Sequence, residues 1–537
     1  MNSALARVSR RILPVVLGIA VVAGCSGSGG TRPAAGTGSS PAVTAAPPTS
    51  AAPSPSLRPG GEADPALKSF YGQQIGWAPC AADPALKNVD MSTFQCGTAH
   101  VPLDYAHPTV DTVDLALIRK PAAKADQRLG SLFLNPGGPG GSGIEEVAGG
   151  ANGRFQSLNQ RYDLVGFDPR GVGRSTAVHC LDDAARDKLN AQDHADAGSD
   201  QGFADACRAK SGKLLPFVGT VDAARDLDVL RGAVGDQKLD YLGFSYGTYL
   251  GAEYAEQFPD RTGRLVLDGA MDPSNDPLDA DVAQLVGFEG VFERWAADCP
   301  SHSGCPLGKD PAAAAQRAAA FLDGLEQHPM TTSDGRTLTA AEGWTGALEM
   351  LYGDAKSWEY LRNGMEWAMQ AHKADYLMAF ADDYNGRDKQ GHYTNMADAN
   401  VAINCADYGA PVPSDDRINQ ALAQLHSQAK YLTARMTAED LNAQDCRDWP
   451  YHPSTAPHVI KAAGAAPILV VGSTGDDATP YAWAQHLAAG LADATLLTRD
   501  GDGHTGYGKS SCIKKAVDSF LVDGTMPAAG THCPTDS

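Results

Sequence analysis

Gly243-Phe-Ser245-Tyr-Gly247 fits G-x-S-x-G and lies between an apolar run ending at Gly243 and a following stretch of helical period. In a chain with 58 glycines the motif alone carries little weight. Its setting adds to it, because small residues on both sides of a serine permit a sharp strand-to-helix turn that exposes the hydroxyl. A serine hydroxyl is scarcely ionised at neutral pH and becomes a nucleophile beside a base, such as a histidine oriented by a carboxylate. Of the 14 histidines, His504 is set apart by its place in Asp500-Gly-Asp-Gly-His504-Thr-Gly, just past the last apolar run. One run earlier, Gly475-Asp476-Asp477-Ala-Thr-Pro480 puts two carboxylates in the corresponding loop, and residue type alone does not choose between them.

Attack on a carbonyl also builds negative charge on its oxygen, which N–H donors must receive. Asn135-Pro-Gly137-Gly138-Pro-Gly140-Gly-Ser-Gly143 can bring bare backbone close to a substrate. Its N–H near Gly138, with that of Tyr246 after the serine, would form the oxyanion hole. A phosphate-cradling loop would need Gly-Lys-Ser/Thr, and two prolines here remove donors.

These loops need a scaffold that brings them together. The runs 131–135, 162–168, 239–243, 264–268, 467–471 and 494–498 read as short strands buried on both faces of a sheet, with helical stretches at 222–231 and 248–258 between them. That pattern is α/β with a mostly parallel sheet. Upstream, 99–105 and 113–118 flank a turn and read as an antiparallel pair at the sheet edge. From about Pro273 to Asp440 the chain is Ala-rich and helical in period, with four of the seven tryptophans. An insertion at 276–440 over the strand ends, between core segments 66–275 and 441–537, would form a lid; an independent helical domain is the plainer alternative.

At the N-terminus, Arg7, Arg10 and Arg11 precede the apolar run Ile12–Ala23, in the order of an export signal over residues 1–24. The run ends Val22-Ala23-Gly24-Cys25, which resembles a lipoprotein signal whose cysteine carries the lipid; an ordinary secretory signal is the alternative. Residues 25–65 are dominated by Gly, Ser, Thr, Pro and Ala, with almost nothing to bury, and read as a disordered tether. Setting Cys25 aside leaves ten cysteines, enough for five disulfides. Nearest-neighbour pairing would join 80–96, 180–207, 299–305, 405–446 and 512–533, but sequence does not determine connectivity and buried free thiols are the alternative. No Cys-x-x-Cys pair points to structural zinc. The formal net charge is −21, with no basic run, which argues against nucleic acid as a partner. The 12-residue apolar run is too short to span a bilayer, leaving a lipid anchor as the expected contact with membrane.

With Asn135-Pro-Gly-Gly-Pro-Gly140, Gly166-Phe-Asp-Pro-Arg-Gly-Val-Gly-Arg-Ser175, Gly243-Phe-Ser-Tyr-Gly-Thr248, Leu267-Asp-Gly-Ala270, Gly475-Asp-Asp-Ala-Thr-Pro480 and Gly501-Asp-Gly-His504, the chain resembles the α/β-hydrolase-fold serine peptidases related to proline iminopeptidase. Within that family it is most similar to the exported tripeptidyl aminopeptidases of actinobacterial type, with a TAP-like C-terminal segment. The resemblance runs from about residue 66 to the end and implies an α/β-hydrolase fold with a helical lid. It implies Ser245 as nucleophile, His504 as base, Asp476 as acid at the first position of D-x-x-T-P, and no metal or cofactor. The implied partners are peptides or small proteins with free N-termini, their ammonium received by unnamed lid carboxylates or carbonyls. Two departures stand out: Asn135-Pro where the iminopeptidase branch has His before the glycines, and a lid whose residues do not match the family's one by one; beside the acid, Asp477 stands where relatives often have Pro. An esterase or lipase of the cell envelope would use the same residues, and an inactive solute-binding lipoprotein would keep only the fold.

Overall fold

The computed structural model describes residues 61–86, 89–192, 199–408, 413–442, 446, 449–451 and 456–536. The expected export signal, Cys25 and the tether up to residue 60 lie outside them. At the start of the described residues, a short turn Gly61–Ala63 brings Glu62 to 3.4 Å from Arg231.

Twelve strands are present among the described residues: β1 (Ala78–Pro79), β2 (Gln95–Pro102), β3 (Thr112–Lys120), β4 (Gly130–Asn135), β5 (Tyr162–Phe167), β6 (Leu239–Phe244), β7 (Thr262–Asp268), β8 (Met330–Thr331), β9 (Thr337–Leu338), β10 (Ile468–Gly475), β11 (Ala494–Asp502) and β12 (His532–Pro534). Ten of them form one sheet in the order β1-β2-β3-β5-β4-β6-β7-β10-β11-β12; β8 and β9 pair separately. From β5 to β12 all neighbours are parallel, and β1, β2 and β3 add antiparallel strands at one edge. This is the α/β-hydrolase fold, with β2 and β3 the expected antiparallel pair and the two-residue β1 outside them.

The apolar runs alternate between two covered faces. Leu132, Leu134, Leu242, Phe244, Val266, Leu469 and Val471 pack on one side with helices α1 (Gly143–Gly150) and α12 (Ser511–Asp523). Phe133, Val165, Tyr241, Leu265, Leu267, Ile468 and Val470 pack on the other with α2 (Thr220–Ala233), α3 (Tyr246–Gln257) and α11 (Tyr481–Gly490). Apolar side chains on both faces explain why these strands read as continuous runs. Register then aligns the strand ends: Asn135 pairs with Gly243, Gly243 with Leu267, and Asp268 with both Phe244 and Val471.

Between β7 and β10 lie α4 (Pro277–Asp298), α5 (Pro311–Gly324), α6 (Ala340–Leu351), α7 (Ala355–Ala371), α8 (Asp375–Asn385), α9 (Met396–Tyr408) and α10 (Asp415–Gln428). Helices α4 to α8 share a core with buried Trp295, Trp344 and Trp358, and Ala478 from the loop after β10 is seated in it. Helix α9 instead packs Ala399, Ala402, Ile403 and Cys405 into the core beneath the sheet. Part of the insertion is therefore built into the body. The disulfides are Cys80–Cys96, Cys180–Cys207, Cys299–Cys305, Cys405–Cys446 and Cys512–Cys533, as nearest-neighbour pairing expects.

Arg170, in the Asp-Pro-Arg stretch after β5, is fully buried. Its guanidinium donates twice to Asp226 of α2, at 2.6 Å each, and to the carbonyls of Pro102 and Leu103 at 2.9 and 3.0 Å. Asp226 accepts a further hydrogen bond from Tyr105 at 2.8 Å. Removing the carboxylate would strand a buried cation, so Asp226→Ala should lower unfolding free energy by about 3–5 kcal/mol in urea titration. A loss below about 1 kcal/mol would show that the pair does not hold this corner.

Candidate active site

The elbow at Ser245 places a non-glycine residue at φ 56°, ψ −126°, a conformation L-residues rarely adopt. Neighbouring bonds hold it there. Ser245 N–H donates to the Asp268 carbonyl at 2.9 Å, and its own carbonyl accepts from Thr248 N–H at 2.8 Å and Thr248 Oγ1 at 2.6 Å. The flanking glycines let strand and helix meet: a Cβ on Gly243 would lie 2.4 Å from the Gly247 carbonyl oxygen. The Ser245 side chain is buried, and its Oγ has no hydrogen-bond partner.

His504 follows β11 and Asp476 follows β10. The imidazole Nδ1 lies 2.9 and 3.1 Å from the two Asp476 oxygens and 3.2 Å from Thr479 Oγ1. A carboxylate can only accept, so Nδ1 carries the proton and Nε2 presents its lone pair. That Nε2 is buried and has no partner. Ser245 and His504 come together across the end of β7: Ser245 bonds to Asp268, and a Cβ on the next residue, Gly269, would lie 3.0 Å from His504 Cε1. The Oγ and Nε2 atoms do not bond each other here, which is common before a substrate tightens such a site.

Asp476 also accepts from the N–H groups of Ala478 (3.1 Å), Thr479 (2.8 Å) and Thr505 (3.1 Å). Burial pushes its pKa upward, but His504 and these donors outweigh burial and hold it below the usual carboxylate range. Asp477 is equally buried but bonds only the Ala478 N–H, at 3.1 Å, and its Oδ2 has no partner. Burial and the neighbouring Asp476 push its carboxyl up to about 7. The structure thus brings Asp476, not Asp477, to His504.

The glycine loop after β4 lies on the elbow: a Cβ on Gly137 would lie 2.4 Å from the Phe244 carbonyl oxygen and 3.0 Å from Tyr246 N. Gly137 N–H is used within the turn, donating to Asn135 Oδ1 at 2.9 Å. Gly138 follows it at φ 114°, and Tyr246 is the first residue of α3, where an N–H has no partner in its own helix. Ser142 caps α1 and donates to buried Asp168 at 2.5 Å, and the Arg174 N–H reaches the other Asp168 oxygen at 2.8 Å. Gly166–Ser175 therefore serves to anchor this loop.

Several supporting residues escaped the sequence reading. Asp268 accepts from Gly506 and Tyr507 N–H groups at 2.8 and 2.7 Å, fastening the loop just after His504. Arg499 is buried under that loop and donates to Ser473 Oγ at 2.9 Å and the Asp502 carbonyl at 2.8 Å. Lys509 donates to the carbonyls of His504 and Tyr352; burial and Arg499 lower its pKa to about 8. The lid joins in through Gln284 Nε2, 2.7 Å from the Ala478 carbonyl, and through the Tyr352 carbonyl, which accepts His504 N–H at 3.1 Å. A buried aspartate at the end of an apolar strand was a usable sign for Asp268. The lid residues have no comparable signal.

Residues 430–533 match the family described as TAP-like protein. Serine protease Hip1 of Mycobacterium tuberculosis is 39% identical over 490 residues, covering 88% of this chain and 92% of the relative. Carboxylesterase B of the same species is 38% identical over 474 residues, covering 86% and 90%. Tripeptidyl aminopeptidase of Streptomyces lividans is 32% identical over 496 residues, covering 86% of each chain. With its parallel sheet, its serine elbow and these relatives along most of its length, the chain belongs to the TAP-like family of α/β-hydrolase-fold serine hydrolases.

Proposed function

We propose that this chain removes short peptides, tripeptides foremost, from free N-termini by way of an acyl-enzyme on Ser245. The observation that carries the reading is the Asp476–His504 pair, with Nε2 unengaged, set across Gly269 from a partnerless serine hydroxyl on a strained turn. In this reading His504 takes the Ser245 proton as Oγ attacks the scissile carbonyl, and the N–H groups of Gly138 and Tyr246 receive the oxyanion. The imidazolium, stabilised by Asp476, gives its proton to the leaving amine, and water then hydrolyses the ester by the same relay. No step calls for a metal or cofactor. The peptide class is supported by the serine protease and tripeptidyl aminopeptidase relatives. A carboxylesterase acting on envelope esters is the second reading, favoured by the relative of that name.

The same reading places the protein outside the cytoplasm, held to the membrane by lipid on Cys25, and five disulfides accord with an oxidising compartment. Cys25→Ala should shift the protein from the membrane fraction to the soluble fraction, and unchanged partitioning would count against lipidation.

Chromogenic tripeptides with free and acetylated N-termini, beside short-chain esters, test the substrate class. Free peptides should be cleaved and acetylated ones spared, with Ser245→Ala lowering kcat by about 10⁶-fold. Equal cleavage of both peptides would rule out an aminopeptidase, and turnover of esters alone would support the second reading.

The two aspartates should separate cleanly. Asp476→Asn should lower kcat by about 10⁴-fold by favouring the wrong imidazole tautomer, whereas Asp477→Asn should stay within about tenfold of wild type. Because the folded state raises the Asp477 pKa to about 7, it retains a proton that the unfolded chain releases near pH 4. That group's contribution to stability is therefore lost as pH rises from about 4 to 7, and Asp477→Asn should remove this loss, gaining on wild type at pH 8 relative to pH 4 in denaturant titrations. An equal difference at both pH values would contradict the assignment.

A further inference from the structure

The loop that carries Gly138 turns through Gly137, Gly138 and Gly140, all at positive φ, where only glycine sits without steric cost, so its course relies on the contacts around it. Its outer side rests on helix α9. A Cβ on Gly140 would lie 2.6 Å from the Met396 carbonyl oxygen and 3.3 Å from Asn400 N, so loop and helix backbones are nearly in contact. At that contact Asn400 Nδ2 donates to the Pro139 carbonyl at 3.0 Å, and Asn400 Oδ1 accepts from Asn404 Nδ2 at 3.0 Å. Pro139 directly follows Gly138.

The same helix is also linked, through a side-chain chain that ends at its hydroxyl, to Tyr246, whose backbone N–H is the other proposed oxyanion donor. Asp407, one turn beyond Asn404, accepts from Thr220 N–H at 2.7 Å and Thr220 Oγ1 at 2.5 Å, and Thr220 Oγ1 in turn shares a hydrogen bond with the Tyr246 hydroxyl. Helix α9 is itself well fixed. Ala399, Ala402 and Ile403 are buried in the body core, Cys405 is bonded to Cys446, and Asn395 just before it donates to the carbonyls of Gly171 and Val178 at 2.8 and 2.9 Å.

We propose that α9 sets the spacing of the oxyanion hole, holding the Gly138 side through Asn400 and the Tyr246 side through Asp407 and Thr220, so that Asn400 is a positioning residue of the reaction. The proposal rests on the reading of Gly138 and Tyr246 as oxyanion donors. Asn400 acts at one remove, through the Pro139 carbonyl, and does not enter the chemistry. Freed from it, the loop can drift by a fraction of an ångström, and donors aimed at a tetrahedral oxygen lose strength steeply with misplacement.

The test uses the full chain with a free tripeptide anilide and a short-chain nitrophenyl ester, so that it works for either substrate class. Asn400→Ala and the near-isosteric Asn400→Asp, which fills the space but cannot donate, should each lower kcat by about 10- to 100-fold with KM within about threefold. Affinity for a boronic acid, which forms a tetrahedral adduct on the serine, should fall with kcat, while affinity for the product peptide or acid should not. Asn404→Ala, which removes only the outer link, should lower kcat by about two- to fivefold and remains informative if the Asn400 variants do not fold. Wild-type kcat in the folded variants, a change in KM alone, or equal losses of boronic acid and product affinity would overturn the proposal. Full activity in Ser245→Ala would instead overturn the reading beneath it.

Discussion

The fold's chemistry depends on holding Ser245 in a backbone conformation that it would not adopt alone. The strain at φ 56° is offset by hydrogen bonds on both sides, from Ser245 N–H to the end of β7 and from Thr248 to the Ser245 carbonyl. The bond to β7 needs the parallel register that brings the ends of β4, β6, β7 and β10 level. Asp268 ties these features together: its carbonyl holds the nucleophile turn, while its buried carboxylate holds the loop just past His504. One residue at a strand end thus fixes the nucleophile and the base relative to each other.

Charge is distributed around this centre by burial. Two adjacent aspartates sit in one loop, and the low-dielectric surroundings favour only one ionised carboxylate between them. Asp476, with His504 and three N–H donors, takes the charge; Asp477, with one donor and an unpaired oxygen, is pushed toward the neutral acid. The lid reinforces this arrangement, because Gln284 and Ala478 tie the aspartate loop to it, and Tyr352 accepts from the histidine loop. The insertion is thus part of the scaffold that shapes the site.

Much of this was legible in the sequence because the sheet is buried on both faces and its strands are therefore written as apolar runs ended by Gly or Asp. The serine elbow, the two acid-bearing positions and His504 could be placed at strand ends by chain order alone. The choice of Asp476 came from resemblance, and its physical reason, the direction of Nδ1 and the N–H groups of Thr479 and Thr505, appears only in three dimensions. The contributions of Asn400, Gln284, Tyr352 and Lys509 were not legible. They act through contacts between segments far apart in the chain, and a polar residue on an amphipathic helix looks the same whether it faces solvent or a loop carbonyl.

The central claim is that Ser245 is a nucleophile made reactive by His504. Its most direct test is modification by a fluorophosphonate followed by peptide mapping. The account predicts one adduct per chain, on Ser245, whose formation abolishes activity and is slowed by orders of magnitude in His504→Ala. An adduct on another residue, or activity that survives complete modification of Ser245, would contradict it.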